Sequence, residues 1–84
     1  MAVVTIYTRA FCPYCTRAMQ LLKTKNIKLN HIDAGESAMK KQEMIKRSNG
    51  GRTFPQIFID DKHIGGCDDL MALERKGTLD TMLS

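Results

Sequence analysis

The sequence predicts an α/β protein: a four-stranded mixed sheet built in the order βαβ, α, ββ, α and flanked by three helices. Three observations carry that reading. Val3-Val4-Thr5-Ile6-Tyr7 is a β-branched and aromatic run with apolar residues on both faces, the composition of a strand covered on two sides. From Pro13 the period changes, and Cys15, Ala18, Met19 and Leu22 fall at i, i+3, i+4 and i+7, one stripe of a helix. Ile27 to Asp33 then alternates apolar and polar, so the opening third reads strand, helix, strand, which chirality makes a right-handed crossover between parallel strands.

The first strand is expected at the centre of the sheet. The first helix should run from Pro13 to about Lys25, with Lys23 and Lys25 at the negative end of its dipole. Glu36 to Ser48 reads as a second, more polar helix with Met39, Met44 and Ile45 for packing, stopped by Asn49-Gly50-Gly51. Gln56-Ile57-Phe58-Ile59 is a strong strand after Phe54-Pro55, and Asp60-Asp61-Lys62 turns it into a short antiparallel partner, His63-Ile64. The third helix runs from Cys67 to about Arg75, with acids in its first turn and Gly77 as its stop. Leu79 to Leu83 adds a last helical turn. Met19, Met39, Met44 and Met71 are expected in the core, and His31 and His63 are expected to be structural.

With 84 residues the chain has room for one core, so residues 1–84 are expected to form a single domain. A content of 43% hydrophobic and 26% charged residues is that of a globular protein and argues against disorder. No apolar run approaches the length of a membrane span, and the segment MAVVTIYTRAF lacks a basic stretch ahead of its apolar residues, so a cytoplasmic location is expected. The net charge of +4 comes from scattered lysines and arginines without interleaved aromatics, which argues against nucleic acid and leaves a mild preference for anionic ligands.

Three cysteines cannot pair fully within one chain, so the CPYC segment, Cys12 to Cys15, is a candidate for metal or redox chemistry. Pro13 suits the first helical position, because its missing N–H would have no partner there. Cys12 is then the N-cap. Its sulfur meets free backbone N–H groups and the positive end of the helix dipole, which favour a thiolate over a thiol. Cys15 lies one turn inward, where a small rotamer change would allow a disulfide. The pair thus reads as one exposed attacking sulfur and one more buried resolving sulfur. Structural zinc is the rival, but beyond these two the chain offers only Cys67, His31 and His63, with no second CxxC.

Taken with RTFPQIFI and HIGGCDDL in the same order, CPYC makes the chain resemble the glutaredoxins of the thioredoxin-like superfamily over nearly its whole length. The resemblance implies a thioredoxin-like fold and a glutathione-dependent thiol–disulfide oxidoreductase acting on protein disulfides and protein–glutathione mixed disulfides. Cys12 would be the nucleophile and Cys15 the resolving thiol. It further implies that Phe54 precedes a cis-proline, Pro55, and that Thr53, Phe54 and Pro55 pair with glutathione. Cys67 and Asp68 would hold its γ-glutamyl end, Arg9 its glycine carboxylate, and Tyr14 would flank it. Glutathione would be a co-substrate, with no bound cofactor and no metal. Partners implied are disulfide-containing or glutathionylated proteins, ribonucleotide reductase among them, and a monomer is expected. Two other readings stay beside it: an iron–sulfur cluster carrier, which CPYC argues against, and a thioredoxin-like electron donor, which the absence of Trp and of a Gly-Pro centre argues against.

Overall fold

A computed structural model describes residues 2–84. Its strands are β1 (Val3–Thr8), β2 (Lys28–Asp33), β3 (Gln56–Ile59) and β4 (Lys62–Gly65), and its helices are α1 (Pro13–Leu22), α2 (Ala38–Arg47), α3 (Cys67–Arg75) and α4 (Thr78–Leu83). They form one sheet in the order β2-β1-β3-β4, with β1 parallel to β2 and antiparallel to β3, and β3 antiparallel to β4. The expected crossover, the hairpin and the inner position of β1 are all present.

Period-two alternation along the inner strands divides the interior into two cores. Val4 and Ile6 of β1 and Ile57 and Ile59 of β3 point to one face, where Ala18 and Leu22 of α1, Leu70 of α3 and Leu79 and Leu83 of α4 cover them. Tyr7 and Phe58 point to the other face and meet Met44 of α2 and Ala34. Fully burying a Leu or Ile side chain is worth roughly 1.5–3 kcal/mol, so these two layers supply the main drive for assembly. The second core carries a polar clasp. The Tyr7 hydroxyl donates to Glu43 at 2.6 Å and accepts from Arg47 at 2.8 Å, while the Arg47 guanidinium lies 4.4 Å from the Phe58 ring centroid. Burial, followed by the Glu43 carboxylate, pushes the Tyr7 phenol up from 10.0.

Three local expectations are corrected. Helix α1 ends at Leu22, not near Lys25, and the Thr24 hydroxyl bonds the Leu21 carbonyl at 2.6 Å in place of a further turn. Lys25 instead pairs with Glu74 at 2.9 Å and Asp80 at 2.8 Å, tying the end of α1 to α3 and α4. Helix α2 begins later than Glu36, at Ala38, because Ser37 caps it by accepting from the Lys40 N–H at 3.2 Å. Met39 is 84% exposed, not core. At 3.6 residues per turn it sits about 140° around the helix from Met44, which takes the only fully buried place on α2.

Candidate active site

The site lies at one end of the sheet, and topology puts it there. Tyr7 pairs with Gln56, so the chain leaving β1 and the chain entering β3 emerge side by side. Gly65 pairs with Ile57, which brings the start of α3 to the same end. The segments around Cys12, Pro55 and Cys67, far apart in sequence, therefore converge.

Cys12 is the N-cap of α1 with Pro13 behind it, as the sequence indicates. Its Sγ accepts from the Cys15 N–H at 3.2 Å, and its carbonyl accepts from the Thr16 N–H at 3.1 Å. The Phe54 carbonyl oxygen is 3.9 Å from the same sulfur, and the Phe54-Pro55 peptide is cis. The two contacts favour opposite protonation states: an N–H aimed at sulfur stabilises the anion, whereas a carbonyl accepts from the thiol. The N–H contact is the shorter of the two and lies at the start of the helix.

Burial does not separate the two sulfurs as expected. Cys12 is 6% exposed and Cys15 4%, because Cys12 Sγ folds inward against the Cys15 N–H and the Phe54 carbonyl. Environment separates them instead. Cys15 is pushed up from 9.0 to about 12, first by burial and then by its hydrogen bond to Cys12, against the pull of the Arg9 N–H and guanidinium. Both cysteines are free thiols. Phe11, the residue before the pair, has φ 55 and is 99% exposed. A left-handed backbone at a bulky residue costs on the order of 1–3 kcal/mol, a strain of the kind found beside functional groups.

Tyr14, Thr53, Phe54, Pro55, Cys67 and Asp68 line one groove. Within it the Gln56 amide donates to the Thr53 carbonyl at 3.0 Å and is itself bonded to the His63 ring at 2.7 Å, which fixes the loop before the cis-proline. The α3 end of the groove depends on two glycines. Gly65 has φ +123 and packs against the Asp69 side chain, which accepts from the Gly66 N–H at 3.0 Å. A Cβ on Gly66 would stand 3.4 Å from the Pro55 carbonyl, so α3 starts close against the proline loop. Burial, with smaller pushes from Asp68 and Cys12, raises Cys67 above 9.0, while Arg17 pulls it down.

Arg9 stands apart from that groove. It lines a second depression on the other side of the CPYC turn, together with Cys12, Cys15 and Lys23. Several contributors escape the sequence reading. Arg17 lies 5.9 Å from the Tyr14 ring centroid and had a signal in its i, i+3 spacing. Gln56 acts from β3 on the loop before it, which spacing does not encode, whereas Asp69 bonds back to the N-cap of α3 from three residues on, a spacing the sequence does carry. His31 is structural in the sense expected, bonded to the Thr8 hydroxyl at 2.6 Å. Among the described residues no group of three or more His, Cys, Asp or Glu side chains is arranged to hold a metal ion.

A sequence model of the Glutaredoxin family matches residues 4–64. Glutaredoxin 3 of Escherichia coli K12 is 54% identical over 83 residues, 99% of each chain, and a glutaredoxin of Pseudomonas aeruginosa is 48% identical over 84 residues, 100% of this chain and 99% of its own. The solution structure of glutaredoxin from Brucella melitensis matches with TM-score 0.82 at 53% identity, covering 99% of this chain and 89% of that one. The crystal structure of a buckwheat glutaredoxin–glutathione complex matches with TM-score 0.83 at 30% identity, covering 95% of this chain and 74% of that one.

Proposed function

Because the chain belongs to the glutaredoxin family and is a thiol–disulfide oxidoreductase, we propose that it draws its electrons from glutathione and reduces protein disulfides and protein–glutathione mixed disulfides. The observation that carries this is the Cys12 sulfur, held by the Cys15 N–H at a helix start and flanked by the loop of a cis-proline. The likeness to a glutaredoxin that binds glutathione supports the choice of tripeptide.

In the proposed reaction the Cys12 thiolate attacks one sulfur of the substrate disulfide. A Cys12–S bond forms, the substrate S–S bond breaks, and the departing thiolate takes up a proton. Where Cys12 now carries glutathione, a second glutathione thiolate displaces it as glutathione disulfide. Where it carries a protein, Cys15 gives up its proton and attacks Cys12, releasing the reduced protein and leaving a Cys12–Cys15 disulfide for two glutathiones to reduce. The groove of Tyr14, Thr53, Phe54, Pro55, Cys67 and Asp68 suits a tripeptide: extended backbone beside the proline loop, and a carboxylate at the start of α3. Arg9 is the cation for the remaining carboxylate in this reading. The protein works as a cytoplasmic monomer with no resident cofactor, and ribonucleotide reductase is one client class.

The test is a coupled assay with glutathione, glutathione reductase, NADPH and a small glutathione mixed disulfide. Turnover that requires glutathione is expected. Turnover supported by a thioredoxin reductase but not by glutathione refutes the proposal.

A further inference from the structure

The CPYC turn is shared by two depressions, and only one has the form of a tripeptide groove. The other runs from Cys12 along one flank of α1 to Lys23, walled by Phe11, Met19 and Arg9 and reaching His31 of β2. From Cys12 to Lys23 the helix rises about 16 Å, the length of about five extended residues. None of its lining residues carries a carboxylate, whereas Arg9 and Lys23 are both exposed and neither has an ion-pair partner among the described residues. At its head the Phe11 ring is held in solvent by a left-handed backbone, 99% exposed and packed on nothing. Two unpartnered cations and a presented aromatic ring next to both cysteines are the complement of an acidic, partly apolar chain.

We propose that this second groove docks the client polypeptide, and that it selects disulfides embedded in acidic segments. The inference rests on the oxidoreductase reading, since the docked disulfide is the one Cys12 attacks. Phe11 meets an apolar client side chain beside the scissile bond, Lys23 meets a carboxylate within the next few residues, and Arg9 meets another in clients that arrive without glutathione. Glutathione keeps the other groove and reaches this one only at Arg9, so in a glutathionylated client the peptide half is met by Phe11 and Lys23. An exposed charge contact supplies roughly a 1.4- to five-fold preference, and two together roughly two- to twenty-five-fold. Such contacts between exposed charges weaken as salt rises.

The experiment uses three disulfide-linked peptides that differ only in the residues beside their cysteines, two Asp, two Ser or two Lys. Each enzymatic rate is divided by the rate of the same peptide with dithiothreitol, which removes intrinsic differences in reactivity. The expected order is Asp over Ser over Lys, with the Asp-to-Lys ratio collapsing several-fold in Lys23→Glu and in molar salt. Lys62→Glu changes net charge equally from β4, on the opposite sheet edge, and is expected to keep the ratio. Phe11→Ser is expected to slow all three peptides. A small glutathione mixed disulfide is assayed in parallel: its loss in the wild-type protein refutes the oxidoreductase reading, whereas its retention with no peptide preference refutes only the docking groove. An equal response to Lys23→Glu and Lys62→Glu, or an effect of Lys23→Glu confined to the KM for glutathione, also overturns the proposal.

Discussion

The two cysteines of the CPYC turn are expected to differ sharply toward an alkylating agent, and the structure sets the size of the difference. Cys15 is pushed from 9.0 to about 12, so its thiolate is about a thousand-fold scarcer at neutral pH than that of an ordinary thiol. Nucleophilicity per thiolate rises with basicity at a Brønsted slope of about 0.4–0.5, which returns part of that factor. The net expectation is a Cys15 roughly thirty- to sixty-fold slower than an ordinary thiol, before steric burial is counted. Cys12, its sulfur held by an N–H at the helix end, is expected to react first. The assay is limiting iodoacetamide at pH 7 followed by peptide mass spectrometry, with N-acetylcysteine as the reference thiol. In Cys12→Ser the push from the Cys12 sulfur disappears while burial stays, so Cys15 is expected to alkylate faster than in the wild type yet slower than the reference. Wild-type Cys15 reacting within about three-fold of the reference thiol would refute the reasoning that burial and the Cys12 contact keep its proton in place.

Cys12→Ser is expected to abolish every thiol transfer, whereas Cys15→Ser keeps reduction of a glutathione mixed disulfide and loses most reduction of an intramolecular protein disulfide; parallel steady-state assays check both. The folded chain is expected to weaken in alkali, because Cys15, Cys67 and Tyr7 all hold their protons more tightly when folded. Stability from such raised acids is whole below about pH 9 and drains as pH climbs from 9.0 toward the Cys15 value of about 12, so Tm should fall over that window and fall less in Cys15→Ser. Gly65→Ala forces a left-handed backbone on a residue with a Cβ and displaces the Asp69 cap, so a loss on the order of 1–3 kcal/mol in urea unfolding and a raised KM for glutathione are expected. Leu22→Ala, at a fully buried site, is expected to cost about 2–5 kcal/mol, while Met39→Ala on exposed α2 surface stays within about 0.5 kcal/mol by the same measurement.

Much of the fold is legible because each element announces itself locally. The stripe of Cys15, Ala18, Met19 and Leu22 is the buried side of α1, and the β-branched and aromatic runs of β1 and β3 are the inner strands. Cys12 as N-cap was likewise readable, since Pro13 leaves few other places for it. What escaped depends on contacts between segments. The burial of Cys12 comes from the Phe54 carbonyl, 42 residues away, and no pattern around Cys12 encodes it. Met39 misled because an apolar residue on a short polar helix carries no sign of which face is covered; the sheet decides, and it takes Met44. Arg9 is legible as a cation near the motif, but which side of the turn it serves is a matter of how the chain leaves β1.

Register is the physical reason the site can be accurate although its parts come from three loops. Because side chains alternate along a strand, a slip of β3 by one residue against β1 would send Ile57 and Ile59 out of one core and Phe58 out of the other. The same slip would carry the Phe54 carbonyl about 3.3 Å along the sheet relative to Cys12, nearly the length of the contact it now makes. Burying both faces of the inner strands therefore fixes more than stability: it fixes the distance between the sulfur and the proline loop. On the edge strand β2 only Leu29 and Ile32 are even partly buried, and the groove beside it is walled by Arg9, Lys23 and Phe11 and does not depend on a rung of backbone. A tripeptide gripped by its backbone needs the accurately placed side of the turn. A variable polypeptide met by charge and an apolar ring tolerates the other.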